Sequence, residues 1–301
     1  MKKLNLLIIV SIGLIISSCC SDDDCGISDT TQSLISITKD YYTNNNLTFS
    51  AKFNFYSERL INIQYSDNSY DDIYYEGDLI SKILEFDANN DWEWTTTYTY
   101  NSSNKLIQKK VTPSPNNTIT DVSRQKDFVY NGNLIQSESS WSDGGLHKNM
   151  IILNNEKLIT EDKILNSENT IVLTHMFEYI NESLSKVIRK DSNENITAEV
   201  TFEYIEKVTS DIYNYDKYLF GKEWKNNSYL NNHHTLITES DSYKVHKNYI
   251  SNYNYSDFLT NTTITSTFNY EFDTSDNIIK QTQNVMSNGE TYKVITTYEY
   301  E

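Results

Sequence analysis

The side chains that most often bind metals or transfer protons are sparse in this sequence. It has five histidines, at His147, His175, His233, His234 and His246. None belongs to an HExxH motif or a similarly spaced pair, and two adjacent histidines on a strand point to opposite faces. His175 shares its predicted face with Phe177 and Tyr179, which favours a hydrogen-bonded core histidine. No metal site is predicted.

Carboxylates are so abundant that their local pairing carries no catalytic information. With 42 Asp and Glu in 301 residues, neighbours such as Asp71-Asp72 and Glu161-Asp162 arise by chance and do not define a glycosidase-like acid–base pair. The eight glycines form no phosphate loop, GxSxG elbow or dinucleotide fingerprint. We therefore predict no catalytic residue, no cofactor and no enzymatic activity.

All three cysteines lie near the start of the chain, at Cys19, Cys20 and Cys25. The body from Gly26 onward contains none. Disulfides, thiolate catalysis and cysteine-ligated zinc are therefore excluded from the body of the protein.

The first residues have the organisation of an export signal. Lys2 and Lys3 precede an apolar run over residues 4–16, which is too short to cross a bilayer as a helix. The run ends in Ile16-Ser17-Ser18-Cys19, which resembles the lipobox of bacterial lipoproteins. That resemblance implies a signal peptide over 1–18 and acylation of Cys19, which would anchor the chain in a membrane. The alternative is an ordinary secretory signal with incidental cysteines.

An acidic segment follows the cysteines, formed by Ser21, Asp22, Asp23 and Asp24. It resembles the export signal that sends some Gram-negative lipoproteins to the outer face of the outer membrane. The resemblance implies display on the cell surface, and the alternative is a solvated acidic spacer. We assign residues 19–45 to a lipidated acidic tether.

Composition favours a folded β protein that does not bind nucleic acid. There are 25 Lys and Arg against 42 Asp and Glu, a net charge of −17, without a basic patch that could neutralise phosphates. Aromatic residues make up 13% of the chain, which argues against disorder. Alanine is scarce while Tyr, Thr, Ile and Asn abound, so strands are favoured over helices.

One short pattern recurs along the body: an aromatic pair with one residue between, a polar turn, then Leu-Ile or a close relative. The clearest copies are Phe53-Asn54-Phe55 with Leu60-Ile61, Tyr98-Thr99-Tyr100 with Leu106-Ile107, Phe128-Val129-Tyr130 with Leu134-Ile135, Phe177-Glu178-Tyr179 with Leu184, and Tyr270-Glu271-Phe272 with Ile278-Ile279. This spacing indicates an internal repeat built from one hairpin.

The residues leading into the aromatic pairs alternate with period two, as in strands with one apolar and one solvated face. Trp92, Trp94, Tyr98 and Tyr100 fall on one face, so we place both tryptophans in the core. The turns carry residues that tolerate positive φ, at Asn131-Gly132, Asp143-Gly144 and Asn288-Gly289.

This rhythm resembles the tyrosine-rich YD repeats of Rhs-like proteins and, more closely, repeat-bearing bacterial surface lipoproteins of unknown function. Tyr130 is followed by Asn131-Gly132-Asn133-Leu134, without the arginine typical of Rhs-like copies. We predict an all-β domain over 46–301, an antiparallel meander of repeated hairpins that forms a long curved sheet, a sandwich or an open barrel.

These features favour a non-catalytic binding or adhesion module, lipid-anchored at the outer membrane and exposed at the cell surface, with a glycan or protein ligand. A structural or envelope-interaction protein without a small ligand is the alternative. A carboxylate-dependent hydrolase is the third hypothesis, and it requires two carboxylates about 5–10 Å apart in a cleft.

Overall fold

The computed structural model describes residues 32–57, 59–115, 123–141, 146–181, 183–208 and 248–301. Every strand in these ranges pairs antiparallel with its chain neighbours. There are eighteen of them: β1 (Leu34–Thr43), β2 (Asn46–Tyr56), β3 (Arg59–Tyr65), β4 (Tyr70–Glu76), β5 (Leu79–Phe86), β6 (Trp92–Tyr100), β7 (Leu106–Pro113), β8 (Arg124–Asn131), β9 (Leu134–Trp141), β10 (Leu146–Leu153), β11 (Ile159–Leu165), β12 (Ile171–Ile180), β13 (Ser183–Asp191), β14 (Ile196–Val208), β15 (Asn248–Asp257), β16 (Thr262–Phe272), β17 (Ile278–Ser287) and β18 (Glu290–Tyr300).

The meander closes on itself. Ile37 of β1 lies opposite Phe53 of β2 on one side and Tyr298 of β18 on the other. The predicted all-β antiparallel meander and its barrel form are confirmed, whereas the sandwich and the long curved sheet are wrong. The reason is that β1 and β18 pair across nearly the whole length of the chain, and no local pattern encodes that pairing.

The barrel also begins earlier than the predicted boundary. β1 lies within the range 19–45 that the sequence assigned to the tether. Its inward positions are Ile37, Lys39 and Tyr41, so it lacks the aromatic pair by which the repeat was recognised. The strand that closes the barrel is therefore the one with the weakest sequence signal.

Apolar side chains fill the barrel at the end where even-numbered strands turn into odd-numbered ones, which we call the packed end. The first members of the aromatic pairs, among them Phe53, Tyr98, Phe128 and Phe177, are buried there in one continuous core. The Leu or Ile after each turn is almost completely buried, at Leu60, Ile80, Leu106, Ile135, Leu184, Ile250 and Ile278. Each hairpin therefore contributes its copy of the motif to a shared core at the packed end of the barrel.

Most of these hairpins contain a β-bulge just after the buried Leu or Ile. In β7, for example, Leu106 pairs with Tyr100 while Gln108 pairs with Thr99, which leaves Ile107 as the extra residue. Shifts of the same kind occur on β3, β5, β11, β13, β15 and β17. A bulge disrupts the local ladder and moves the following side chains to the other face.

A tyrosine of the aromatic pair links most of the neighbouring hairpins. The Tyr130 hydroxyl donates to the Leu106 carbonyl at 2.7 Å, and the Tyr179 hydroxyl donates to the Ile159 carbonyl at 2.8 Å. The same bond is made by Tyr75 to Leu60, Tyr204 to Leu184, Tyr270 to Ile250 and Tyr300 to Ile278. Six of the 24 tyrosines thus make a repeated side-chain to backbone bond at the packed end.

Tyr100 occupies the same position, but its buried hydroxyl has no hydrogen-bond partner. We therefore expect Tyr130→Phe to lower the free energy of unfolding by about 1 kcal/mol, because the Leu106 carbonyl loses its donor. Tyr100→Phe should be neutral or slightly stabilising, because it removes an unsatisfied buried group. Urea denaturation of both variants tests this pair, and equal losses would contradict the role assigned to the bond.

Asparagine and aspartate shape the turns as the sequence predicts. Nine of the thirteen non-glycine residues with positive φ in the described ranges are Asn, and Gly132, Asn288 and Gly289 are among the positive-φ residues. At Asn101 the side-chain oxygen accepts from the backbone amides of Ser103 and Lys105. The positive φ predicted at these turns is confirmed, and Asp143-Gly144 lies outside the described residues.

The two tryptophans of β6 do not share a face. The register shifts by one residue, so that Trp94 lies opposite Glu85 while Trp92 lies opposite Phe86. Glu85 and Phe86 are consecutive and face opposite sides, so their partners do as well. Trp92 is 40% exposed, and its predicted core position is wrong because a bulge interrupts the alternation.

Candidate functional site

Charged residues face the barrel interior beyond the apolar layers of the packed end. Lys126 lies two residues before buried Phe128, and Asp162 lies directly opposite buried Ile151. Asp257 lies opposite fully buried Ala198. We call these inward-facing groups the interior polar belt: Asp71, Glu85, Lys109, Lys126, Asp162, His175, Arg189 and Asp257.

The belt begins with a pair of carboxylates on β4 and β5. Asp71 and Glu85 lie directly opposite each other, where side chains of one face approach closely. The Tyr65 hydroxyl donates to Asp71 Oδ2 at 2.7 Å, and the Thr96 hydroxyl donates to Glu85 Oε1 at 3.4 Å. Burial raises the pKa of Asp71 to about 6 and raises the pKa of Glu85. The partner of Asp71 is thus Glu85 rather than its sequence neighbour.

Two lysines follow on β7 and β8. Lys109 and Lys126 lie directly opposite each other. Burial lowers the pKa of Lys126 to about 7, although the charge of Asp162 opposes the shift. Burial likewise lowers the pKa of Lys109 to about 8 against the attraction of Glu85. The desolvation of both ammonium groups therefore outweighs the carboxylates beside them.

Three polar side chains on β9 and β10 continue the belt beside these lysines. Ser139 lies opposite Lys126, and Ser137 lies opposite Asn149. The Asn149 amide donates to Oδ1 of fully buried Asp162 at 3.0 Å. The hydroxyls of Ser137 and Ser139 are buried and have no hydrogen-bond partner. We call Lys109, Lys126, Ser137, Ser139, Asn149 and Asp162 the lysine sector.

His175, Arg189 and Asp257 complete the belt. Asp162 and Arg189 flank His175 on the neighbouring strands. Burial, helped by the charge of Arg189, lowers the pKa of His175 to about 4, so the imidazole is neutral at pH 7. Arg189 pairs with Asp257 at 2.8 Å, and backbone amides with this guanidinium hold the pKa of Asp257 well below its usual range.

The predicted environment of His175 is half right. Its position in the core is confirmed, since the side chain is buried. The prediction of a hydrogen-bonded histidine is wrong for Nδ1, which is buried without a hydrogen-bond partner. A neutral imidazole can leave one ring nitrogen unsatisfied at a lower cost than a charged one.

Aromatic rings face the interior at the end opposite the packed end. The Phe49 ring lies 5.7 Å from Tyr41 and 5.8 Å from Tyr65, measured between centroids. Tyr65 in turn bonds to Asp71, so this aromatic group adjoins the belt. Rings beside carboxylates and hydroxyls can stack on a sugar and hold its hydroxyl groups.

The described residues do not include the predicted membrane anchor. Cys19, Ser21, Asp22, Asp23 and Asp24 are outside the described residues, as are His233, His234 and His246. Within the described ranges, no three His, Cys, Asp or Glu side chains come together as a metal site. In the same part of the chain, no helix has the length and apolarity needed to cross a bilayer.

The interior polar belt was not predicted from the sequence, although the sequence contains one signal of it. Lys126 and His175 each lie two residues before the first member of an aromatic pair. Alternation with period two therefore places both polar side chains on the same face as the buried aromatic residues. Lys109, Asp162 and Arg189 follow bulges. Simple alternation from the preceding Leu or Ile would put these three residues on the outside.

Comparison with known proteins yields fold-level similarity to solved structures. No protein-family model and no curated protein matches the sequence. A porin-like protein from Bacteroides uniformis aligns over 89% of this chain and 96% of its own, with 14% identity and a TM-score of 0.48. A porin-like protein from Bacteroides vulgatus aligns over 89% and 98%, with 12% identity and a TM-score of 0.42. A chain of a TcdB2-TccC3-Cdc42 complex aligns over 57% and 11%, with 10% identity and a TM-score of 0.30.

Proposed function

We propose that this protein is a lipid-anchored outer-membrane protein whose barrel stands in water at the cell surface and acts as a non-catalytic binding module. The observation that carries the proposal is the polarity of the outer face of the barrel. Aromatic and aliphatic side chains fill the packed end, while ion pairs and hydroxyl groups occupy many outward positions among scattered exposed apolar side chains such as Val129 and Met286.

Ion pairs occupy outward positions in the middle of several strands. Glu161 and Lys163 flank inward Asp162 and pair at 2.6 Å. Lys186 pairs with Glu199 at 2.7 Å, and each precedes an inward valine in the sequence. Similar outward pairs join Lys148 to Glu138 and Lys280 to Glu271.

The outer surface of β16 is polar along its whole length. Its exposed positions are Thr263, Thr265, Thr267, Asn269 and Glu271. The lipid-facing positions of a transmembrane barrel are apolar instead, and one Lys or Arg at the bilayer midplane costs about 2–4 kcal/mol. These outward polar positions therefore favour water around the barrel, and we assign membrane attachment to acylation of Cys19 at the start of the tether.

The binding role is supported by the interior. Polar groups inside a barrel are costly to bury, and the interior polar belt adjoins the aromatic group of Tyr41, Phe49 and Tyr65. A glycan or protein segment is the ligand we favour. The alternative is the carboxylate-dependent hydrolase, because Asp71 and Glu85 are neighbours on one face. Glycan hydrolysis by the wild-type protein that the variant Asp71→Asn loses would support that hypothesis instead.

Fractionation of cells tests the mode of attachment. We expect the full chain to remain with the membrane through alkaline carbonate extraction. A variant carrying both Cys19→Ala and Cys20→Ala should be released, because its barrel has a polar exterior and no lipid. Cys25→Ala is the matched control and should stay membrane-bound. Retention of a double variant from which residues 1–18 have been removed, as mass spectrometry can show, would mean that the barrel itself holds the membrane and would overturn the proposal.

Protease treatment of intact cells tests display. We expect external protease to remove the wild-type barrel and to spare a variant with Asp22, Asp23 and Asp24 all changed to alanine, while mass spectrometry finds both lipidated at Cys19. If wild type is also spared, the protein faces the periplasm. The structural or envelope-interaction hypothesis would then replace adhesion at the cell surface.

A further inference from the structure

We propose that the lysine sector of the interior polar belt is a binding site for a small oxyanion, a carboxylate or phosphate group carried by the ligand. This inference rests on the proposed function, since it specifies the chemistry of the ligand that the barrel binds. The site lies inside the barrel, between β7 and β11.

Two unsatisfied hydroxyls point to a missing partner. Ser137 and Ser139 lie on the inward face of β9, and both Oγ atoms are buried without a hydrogen-bond partner. Buried polar groups are nearly always satisfied in native proteins, so each exception calls for an explanation. The two hydroxyls are separated by one residue on one face, where a single group with several acceptor oxygens can reach both.

The lysines beside them supply the charge for an anion. Lys126 lies directly opposite Ser139 and directly opposite Lys109. Like charges on opposed positions of a sheet repel, and burial lowers the pKa of both lysines although Asp162 attracts Lys126 and Glu85 attracts Lys109. An anion near the two ammonium groups would stabilise their charged forms.

Inward-facing positions continue from the lysine sector toward the end of the barrel opposite the packed end. Across the sheet, Lys126 is followed by Ser139 and then by His147, which is exposed. Arg124 is two residues from Lys126 on the same face and is also exposed. A cationic side chain at the entrance would attract an anion to a protein whose net charge is −17.

Titration of the purified full chain tests the site, with inorganic phosphate, glucuronate and neutral glucose as probes. We expect phosphate or glucuronate to bind and glucose not to bind, and the better of the two identifies the anionic group. Lys126→Met should weaken anion binding about tenfold or more, since a charge-assisted contact is lost.

Lys39→Met is the matched control. Lys39 and Lys126 both face inward, both are 7% exposed, and their ammonium groups lie 5.8 Å and 5.3 Å from the centroids of Phe53 and Phe128 respectively. Lys39 lies outside the lysine sector, so its replacement should leave anion affinity unchanged. Equal weakening by both substitutions would indicate a general charge effect and would overturn the site.

Ser139→Ala distinguishes binding from a structural role, and it keeps the test decisive if Lys126→Met fails to fold. It removes an unsatisfied hydroxyl, so the melting temperature without ligand should stay the same or rise, while anion affinity falls several-fold. Unchanged affinity in this variant, or no binding of either anion by wild type at millimolar concentration, would refute the inference. Membrane release of the cysteine variant is independent of these outcomes.

Discussion

Leu106→Ala should lower the free energy of unfolding by about 2–5 kcal/mol. Leu106 is fully buried in the continuous core of the packed end. Truncation removes its apolar contacts and leaves a cavity that neighbouring strands of a closed sheet can fill only in part. Its backbone carbonyl accepts the Tyr130 hydroxyl, a bond that any local shift would also disturb.

Urea denaturation measures this loss as a lower midpoint with an unchanged slope. Leu259→Ala is the control, because Leu259 is 73% exposed and its truncation should change stability by no more than about 0.5 kcal/mol. If the two variants lost the same free energy, the packed end would not be the structural core of the barrel.

Asp162→Ala should cost about 3–5 kcal/mol at pH 6, because it leaves buried positive charge without its partner. Asp162 is fully buried, accepts from the Asn149 amide at 3.0 Å and attracts the ammonium group of Lys126. The variant would retain this ammonium group and the buried Asn149 amide without the carboxylate that compensates them.

The deficit of this variant should shrink as the pH rises from the lowered folded-state pKa of Lys126 in the variant to its wild-type value of about 7, and it should then stay nearly constant at higher pH. Burial places the folded-state pKa of Lys126 at about 7, below its ordinary value of 10.5. The unfolded chain then binds more protons than the folded one above that pKa, so stability rises with pH as the buried ammonium group loses its charge. Removal of Asp162 lowers this pKa further and enlarges the rise.

Asp78→Ala is the matched control for a carboxylate. Asp78 pairs with Arg59 at 2.7 Å, but its side chain is almost fully exposed. Surface ion pairs contribute about 0–1 kcal/mol, so this substitution should have a small effect at either pH. A loss in Asp162→Ala that is equally small, or independent of pH, would contradict the charged network inside the barrel.

Much of the local structure follows from the sequence because it depends on neighbours in the chain. Alternation identifies the inward row of β14, from Ala198 through Val200 to Phe202, and all three are buried. The Asn-rich turns adopt the positive φ that their composition predicts. These features arise from residue-level sterics and from period-two patterning, both of which are visible in a short window.

Period-two alternation predicts the wrong face for residues that follow a β-bulge. Leu106 is inward, and strict alternation would then place Gln108 and Lys110 inward as well. The extra residue Ile107 instead brings Lys109 to the inside. The same shift hides Asp162 on β11 and Glu85 on β5, so most of the interior polar belt could not be recognised from alternation.

The sequence by itself determined the strands, their turns and the aromatic layer, because each depends on side chains a few residues apart. Only the tertiary structure decided that Leu34–Thr43 closes the barrel against Glu290–Tyr300, and that charged groups from β4 to β15 line one interior. Both depend on pairing between distant segments and on register, which is set by how the whole sheet closes.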